Sequence, residues 1–169
     1  MLNWEPFSAV HQSDVNGFFC GEKLWEKEVE NFIRGDGASS QALTMLANRR
    51  AEIWLYKLVD TGELVGFGAL SKPKWTIDGT EHKITLLQAF GVQAKFHGQP
   101  AGPPDGRYAT QILADLQEKA IGYGRAIWGL FVHKENAKAK AFYMRNGFVK
   151  IEEVRDTHER MFLRLPDVN

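Results

Sequence analysis

The chain has 169 residues, balances 21 Lys and Arg against 21 Asp and Glu, and carries one Cys, which fits a single domain over 1–169 with a sizeable core. Zero formal net charge excludes a protein that coats nucleic acid by bulk electrostatics, and no apolar run approaches the roughly 18 residues of a membrane span. One Cys closes no intramolecular disulfide, and the start MLNWEPFSAVHQSD has no basic segment followed by an apolar one, so a cytoplasmic protein without a secretory leader is expected.

Residues 1–21 read as irregular, broken by Pro6. Over 22–33, Leu24, Trp25, Val29, Phe32 and Ile33 fall at helical spacing, with Glu22, Lys23, Glu26, Lys27 and Glu30 on a solvated face. Gly35 to Gly37 ends this helix, and a short second one follows an N-cap at Ser39 or Ser40 and runs to Leu46. The stretches 53–59 (IWLYKLV) and 64–70 (LVGFGAL) flank the turn Asp60-Thr61-Gly62-Glu63 as two arms of a hairpin. Residues 72–79 read as a loop or a strand extension. The run 84–92 (ITLLQAFGV) is almost wholly apolar, as a strand buried on both faces requires.

A loop dense in Gly and Pro, KFHGQPAGPPDGR, comes next, then an amphipathic helix over 108–120 with Ile112, Leu113, Leu116 and Ala120 on one face. Residues 126–132 (AIWGLFV) form another buried strand, 136–146 a helix stopped by Gly147, and 148–154 and 161–165 the closing strands. A parallel crossover joined to an antiparallel first half gives an α+β fold: a mixed, mostly antiparallel central sheet with flanking helices.

Two segments carry chemistry. The Gly/Pro loop lets backbone approach a ligand, and the helix after it presents unpaired N–H groups, a combination that binds phosphate. Lys95, His97 and Arg107 add side-chain charge. The same loop also reads as a plain solvent connection, and it lacks the spacing of a P-loop or a dinucleotide fingerprint. The second segment is HKENAKAKAFYMRNGF, in which Asn136, Ala139, Phe142, Tyr143, Gly147 and Phe148 spell N-x-x-A-x-x-F-Y-x-x-x-G-F. An ordinary amphipathic helix accounts for the aromatics but not for Asn, Tyr and Gly-Phe at these spacings.

This run, after an apolar strand ending GLFV, resembles the fourth-helix motif of the GNAT superfamily of acyl-CoA N-acyltransferases, and AFGV with the Gly-rich loop and helix is similar to that family's acyl-CoA-binding motif. The likeness extends from Glu52 onward. The family's Q/R-x-x-G-x-G/A is altered here, with Pro104 and Arg107 at its first and fourth positions and 100–105 standing as an insertion after His97-Gly98-Gln99. Phe18-Phe19-Cys20-Gly21 is similar to the start of a branch that includes toxins acetylating aminoacyl-tRNA.

The resemblance implies a direct transfer from acetyl-CoA, without a covalent acyl-enzyme, to a primary amine of a small molecule, peptide or protein. Phe90, Gly91 and Val92 would pair with the pantetheine arm, an N–H near Val92 polarising the thioester carbonyl. His97, Gly98, Gly106, Arg107, Tyr108 and Ala109 would hold the pyrophosphate. Asn136 would orient pantetheine or cap its helix, and Tyr143 would protonate the leaving thiolate. No carboxylate stands on the central strand, which offers only Gln88; Glu81 and His82 precede it. An α-amino group, with pKa about 7.7–8.0, needs a base less than a lysine does, and a water chain is a further route.

Other residue types offer less. Cys20 has no partner pattern and reads as a buried or incidental thiol, and the His residues lack metal-ligand spacing, so no metal is expected. Trp4 and Trp75 fall in irregular segments where they would line a pocket; Trp25, Trp54 and Trp128 belong to the core. Lys134, Lys138, Lys140, Arg145 and Lys150 make the fourth-helix region basic, a solvated face or a grip for the CoA 3′-phosphate or a tRNA. Two further readings are a toxin-like enzyme on aminoacyl-tRNA, against which zero net charge weighs, and a catalytically silent acyl-CoA-binding module. No other nucleic acid and no membrane partner is expected, and a homodimer is left open.

Overall fold

The computed structural model describes residues 1–35, 40–101, 106–154 and 157–166. In chain order the elements are β1 (Leu2–Pro6), a 3-10 turn (Ala9–His11), α1 (Gln12–Val15), α2 (Leu24–Arg34), α3 (Gln41–Ala47), β2 (Ala51–Leu58) and β3 (Leu64–Ser71). There follow β4 (Lys74–Ile77), β5 (Thr80–Lys83), β6 (Thr85–Val92), a 3-10 turn (Ala94–Phe96) and α4 (Tyr108–Gly122). The chain closes with β7 (Ile127–His133), α5 (Ala137–Arg145), β8 (Val149–Val154) and β9 (His158–Arg164). They form two compact units, Met1–Leu70 with Ala89–Gln117 and Ser71–Gln88 with Glu118–Asn169. Sheet and helices are as expected: mixed pairing, mostly antiparallel, with helices flanking the strands.

In the first unit the strand order is β1-β2-β3-β6. β1 corrects the irregular reading of residues 1–21: it pairs antiparallel with β2, Leu2 opposite Leu58 and Pro6 opposite Trp54. Its burial does not alternate, with Asn3, Trp4 and Pro6 all exposed, so no period-2 signal marks it, and a proline at the end of an edge strand is tolerated. The core is aromatic: Phe18 meets Phe67 edge-on at 5.3 Å and Phe32 stacks on Phe67 at 6.0 Å. Gly91 is fixed by this packing, since a Cβ there would lie 2.7 Å from Val29 Cγ1 and 3.0 Å from the Phe67 ring. Ser40 Oγ accepts the Leu43 N–H at 3.1 Å, placing the cap of α3; Ser39 and Gly37 lie outside the described residues.

In the second unit the order is β6-β7-β9-β8, and the hairpin β4-β5 stands as a separate sheet. β6 and β7 are parallel, Thr85 with Trp128 through Leu87 with Leu130; β7–β9 and β8–β9 are antiparallel. The loop read over 72–79 is instead one arm and the turn of β4-β5, with Asp78 and Gly79 at φ 49 and 76, the left-handed pair that a tight hairpin demands. Trp75 is thereby core rather than pocket lining: it is buried with Ile84, Leu86 and Ile127 and meets Phe131 edge-on at 5.2 Å. β9 begins three residues before Met161, because His158, Glu159 and Arg160 pair with His133, Val132 and Phe131 although they carry no apolar pattern.

Candidate active site

In the first unit, β6 ends at Val92 and the chain turns at once. Gln93 N–H donates to the Val65 carbonyl at 2.8 Å and Ala94 N–H to the Phe19 carbonyl at 2.8 Å, so the turn is bolted to β3 and to the Phe-Phe-Cys-Gly segment. His97 Nε2 donates to the Val92 carbonyl at 2.8 Å; a carbonyl only accepts, so the imidazole proton sits on Nε2. Phe96 is buried and edge-on to Tyr108 at 5.3 Å. The structure thus brings Val92, His97 and Tyr108 to one turn through Phe96, which carries no motif signal; the resemblance groups His97 with Tyr108 but sets Val92 apart.

Ala101 N–H donates to the Gly106 carbonyl at 3.1 Å, joining the two described ends of the Gly/Pro loop; Pro104 and the rest of 102–105 lie outside the described residues. Gly106 has φ +68 with nothing within 4 Å of a Cβ, so backbone conformation, not space, calls for glycine. Helical bonding starts with Gln111 N–H to the Arg107 carbonyl at 3.1 Å, so within α4 the Tyr108, Ala109 and Thr110 amides of the first turn have no helical partner among the described residues. Gly98, Gly106 and Arg107 are exposed. First-turn amides without a helical partner, the positive end of a fifteen-residue helix and one guanidinium fit a phosphate-bearing donor.

In the second unit, Asn136 Oδ1 accepts the Ala139 N–H at 3.1 Å and caps α5. The cap uses the amide oxygen and leaves the nitrogen as a donor. Tyr143 lies seven residues on, two helical turns along the same face. It is buried between Phe142 at 5.5 Å and Phe148 at 5.6 Å, and burial pushes its phenol above the usual tyrosine range. Of the basic run, Lys140 and Lys150 both approach Glu159 Oε1, at 3.5 and 3.4 Å, while Lys134, Lys138 and Arg145 are exposed.

No titratable side chain stands on β6. Gln88 accepts at Oε1 from the Ser71 hydroxyl, 3.1 Å away. Of the two groups preceding the strand, Glu81 is exposed and paired with Lys74 at 2.7 Å, and His82 is half-buried on β5. In the first unit Cys20 is buried, and its thiol is pushed up to about 12 by burial first and then by Glu30 and Glu26. Among the described residues no group of three His, Cys, Asp or Glu side chains is placed to hold a metal ion, and no helix is long and apolar enough to cross a membrane.

A sequence model described as the Acetyltransferase (GNAT) family matches residues 19–148. No curated protein matches the chain. Among solved structures, the PaiA N-acetyltransferase of Thermoplasma acidophilum in complex with coenzyme A is 15% identical, with TM-score 0.68 over 97% of this chain and 99% of that one. An AtaT mutant toxin bound to acetyl-CoA and the C-terminus of its antitoxin AtaR is 16% identical, with TM-score 0.66 over 97% and 93%. The ribosomal-protein-S18-alanine N-acetyltransferase from Escherichia coli is likewise 16% identical, with TM-score 0.63 over 100% and 97%. At these identities the likeness is one of fold.

Proposed function

Because the chain belongs to the Acetyltransferase (GNAT) family, we propose that residues 1–169 act as one N-acetyltransferase domain moving an acetyl group from acetyl-CoA directly to a primary amine. The observation that carries this reading is Tyr143: a buried phenol, fixed between two aromatic rings, on a helix capped by Asn136. Packing of that kind holds the ring in place, and burial keeps the hydroxyl protonated, both of which a proton donor requires. The Tyr108, Ala109 and Thr110 amides with Arg107 would hold the pyrophosphate. The backbone of Phe90, Gly91 and Val92 would pair with the pantetheine arm, and His97 would keep the strand's end in shape.

In the transfer, the amine lone pair attacks the thioester carbonyl, a carbon–nitrogen bond forms and the carbon–sulfur bond breaks. Tyr143 gives its proton to the departing sulfur. The nitrogen sheds one proton, which restores the phenol by way of solvent, so the products are an amide and a thiol with no net proton change. A Cys20 thiol with pKa about 12 is a poor acyl carrier, which supports transfer without an acyl-enzyme.

Acetyl-CoA, a panel of amines and a thiol reagent test this reading. CoA release that depends on the amine, and a product heavier by one acetyl group, is the expected result. CoA binding without release for every amine, aminoacyl-tRNA included, would leave a silent acyl-CoA-binding module. A second reading, acetylation of aminoacyl-tRNA, draws on the fold shared with the AtaT toxin and on the exposed Lys134, Lys138 and Arg145. The aminoacyl-tRNA arm of the panel decides it.

A further inference from the structure

We infer that Gln88, its amide held by Ser71, selects acceptor amines that stand beside a carbonyl group and arrive uncharged; the inference rests on N-acetyl transfer as the reaction. Gln88 follows Leu87, whose pairing with Leu130 is the last step of the β6–β7 ladder among the described residues. It also stands two residues before Phe90 on the strand assigned to the pantetheine arm. Its side chain is half-buried and its orientation is set from one side. Ser71, the last residue of β3, is 7% exposed and its hydroxyl lies 3.1 Å from Gln88 Oε1.

An amide oxygen can only accept, so Ser71 donates, and the oxygen of Gln88 is engaged there. What the side chain presents to a ligand is then its Nε2, two N–H donors that take no proton. Such a group attracts a carbonyl oxygen and disfavours an ammonium, which is itself all donor. β3 (LVGFGALS) and β6 (TLLQAFGV) contribute no titratable side chain at all. His133, at the far end of β7, has its Nδ1 occupied by the Glu135 N–H at 3.3 Å.

Among the described residues of β3 and β6 an amine beside Gln88 therefore finds no base, and one bound there must be neutral already. Near neutral pH an α-amino group, pKa about 7.7–8.0, is neutral in a sizeable fraction, whereas an alkylamine like that of lysine, pKa about 10.4, is neutral about 10²-fold less often. The carbonyl that lowers the α-amine pKa is also the acceptor that Nε2 is suited to bind. One residue thus reads both properties of an α-aminoacyl group, whether in a free amino acid derivative, a peptide N-terminus or an aminoacyl ester.

The test compares alaninamide with sec-butylamine, which is similar in size but lacks the carbonyl, as acceptors across about pH 6.5 to 9.5, with kcat/KM expressed per neutral amine. The wild-type chain should favour alaninamide by about tenfold or more, the worth of a hydrogen bond whose loss leaves a donor unpaired. Gln88→Leu should bring the two within about twofold without moving the KM for acetyl-CoA. Gln88→Glu should abolish the preference and, with kcat/KM taken per total amine, shift the rise of the sec-butylamine profile to lower pH, because a carboxylate can take the ammonium proton. Should Gln88→Leu not fold, Ser71→Ala frees the amide from outside β6 and should lower the same ratio. Equal wild-type rates for the two amines, or a preference that survives both substitutions, overturns the inference while acetyl transfer stands. Absence of CoA release across the full amine panel overturns both.

Discussion

His97 returns to the strand that precedes it, donating from Nε2 to the carbonyl oxygen of Val92 at 2.8 Å. This single bond ties the start of the Gly/Pro loop to the end of β6, where the donor's pantetheine arm is proposed to pair. His97→Ala removes it, and a neutral hydrogen bond of this kind contributes about 0.5–1.5 kcal/mol. The KM for acetyl-CoA should rise by about 3- to 10-fold with kcat within about twofold, and His97→Gln, which can reach the same carbonyl, should recover part of the loss. Steady-state kinetics decides it: an unchanged KM would remove His97 from the donor site.

Glu30, whose helical spacing predicts a solvated face, is instead fully buried on α2 because it draws four donors to one carboxylate. Cys20 N–H at 2.9 Å and Gly21 N–H at 3.4 Å meet Oε1, while Arg34 at 2.9 Å and Lys27 at 3.4 Å meet Oε2. Phe19, one residue earlier, gives its carbonyl to Ala94, so Glu30 braces the segment on which the turn after β6 rests. Glu30→Ala strands two amides and a guanidinium and should cost about 3–5 kcal/mol; Glu30→Gln, still an acceptor, should cost less. Urea titration with an unchanged m-value measures both. A loss under about 1 kcal/mol for the alanine variant would contradict the bracing role.

Cys20 tests the burial of the same segment from another side. With its thiol pushed up to about 12, about one molecule in 10⁴ carries a thiolate at pH 8, against a sizeable fraction for a free cysteine with pKa about 8.5. Alkylation by iodoacetamide, followed as a mass shift, should be about 10³-fold slower in the native protein than in urea. The linkage has a definite sign. The folded pKa is raised, so the unfolded chain loses its proton first, and this contribution to stability is complete below about pH 8.5 and declines as the pH rises above it. Native labelling at the free-thiol rate would refute the buried, proton-bearing Cys20.

The elements that were legible in the sequence are those whose side chains repeat with their geometry. β6 declares itself because TLLQAFGV is apolar on both faces, α5 because Asn136, Tyr143 and Gly147 mark its cap, its face and its end. β1 does not, because an edge strand with Trp4 46% exposed has no buried face to pattern. The β4-β5 hairpin hid for a different reason: its only local signal is Asp78-Gly79, and the burial of Trp75 in one cluster with Ile127 joins residues far apart in sequence. The same limit applies to the site. Tyr143 could be proposed from motif spacing and Arg107 from its charge just before a helix, but the bonds from His97 to Val92 and from Ser71 to Gln88 depend on where the chain returns. A lone Ser at the end of an apolar strand gives no warning of that.

Tyr143 gives the sharpest kinetic expectation, because two properties of one phenol are measured together. Tyr143→Phe keeps the ring between Phe142 and Phe148 and deletes only the hydroxyl, so folding and acetyl-CoA affinity should hold while kcat falls by about 10²-fold or more. Burial raises the phenol's pKa above the usual value near 10. The proton-bearing form therefore persists through neutral and alkaline pH, and the wild-type profile should show no fall below about pH 10 that Tyr143→Phe removes. The linked stability term has the same sign as that of Cys20 but starts later. It is complete below about pH 10 and declines above it, as the unfolded phenol ionises first. A kcat unaltered by Tyr143→Phe would end the acid assignment. An alkaline limb below pH 9 present only with the tyrosine would instead show a phenol that ionises too early for its buried position.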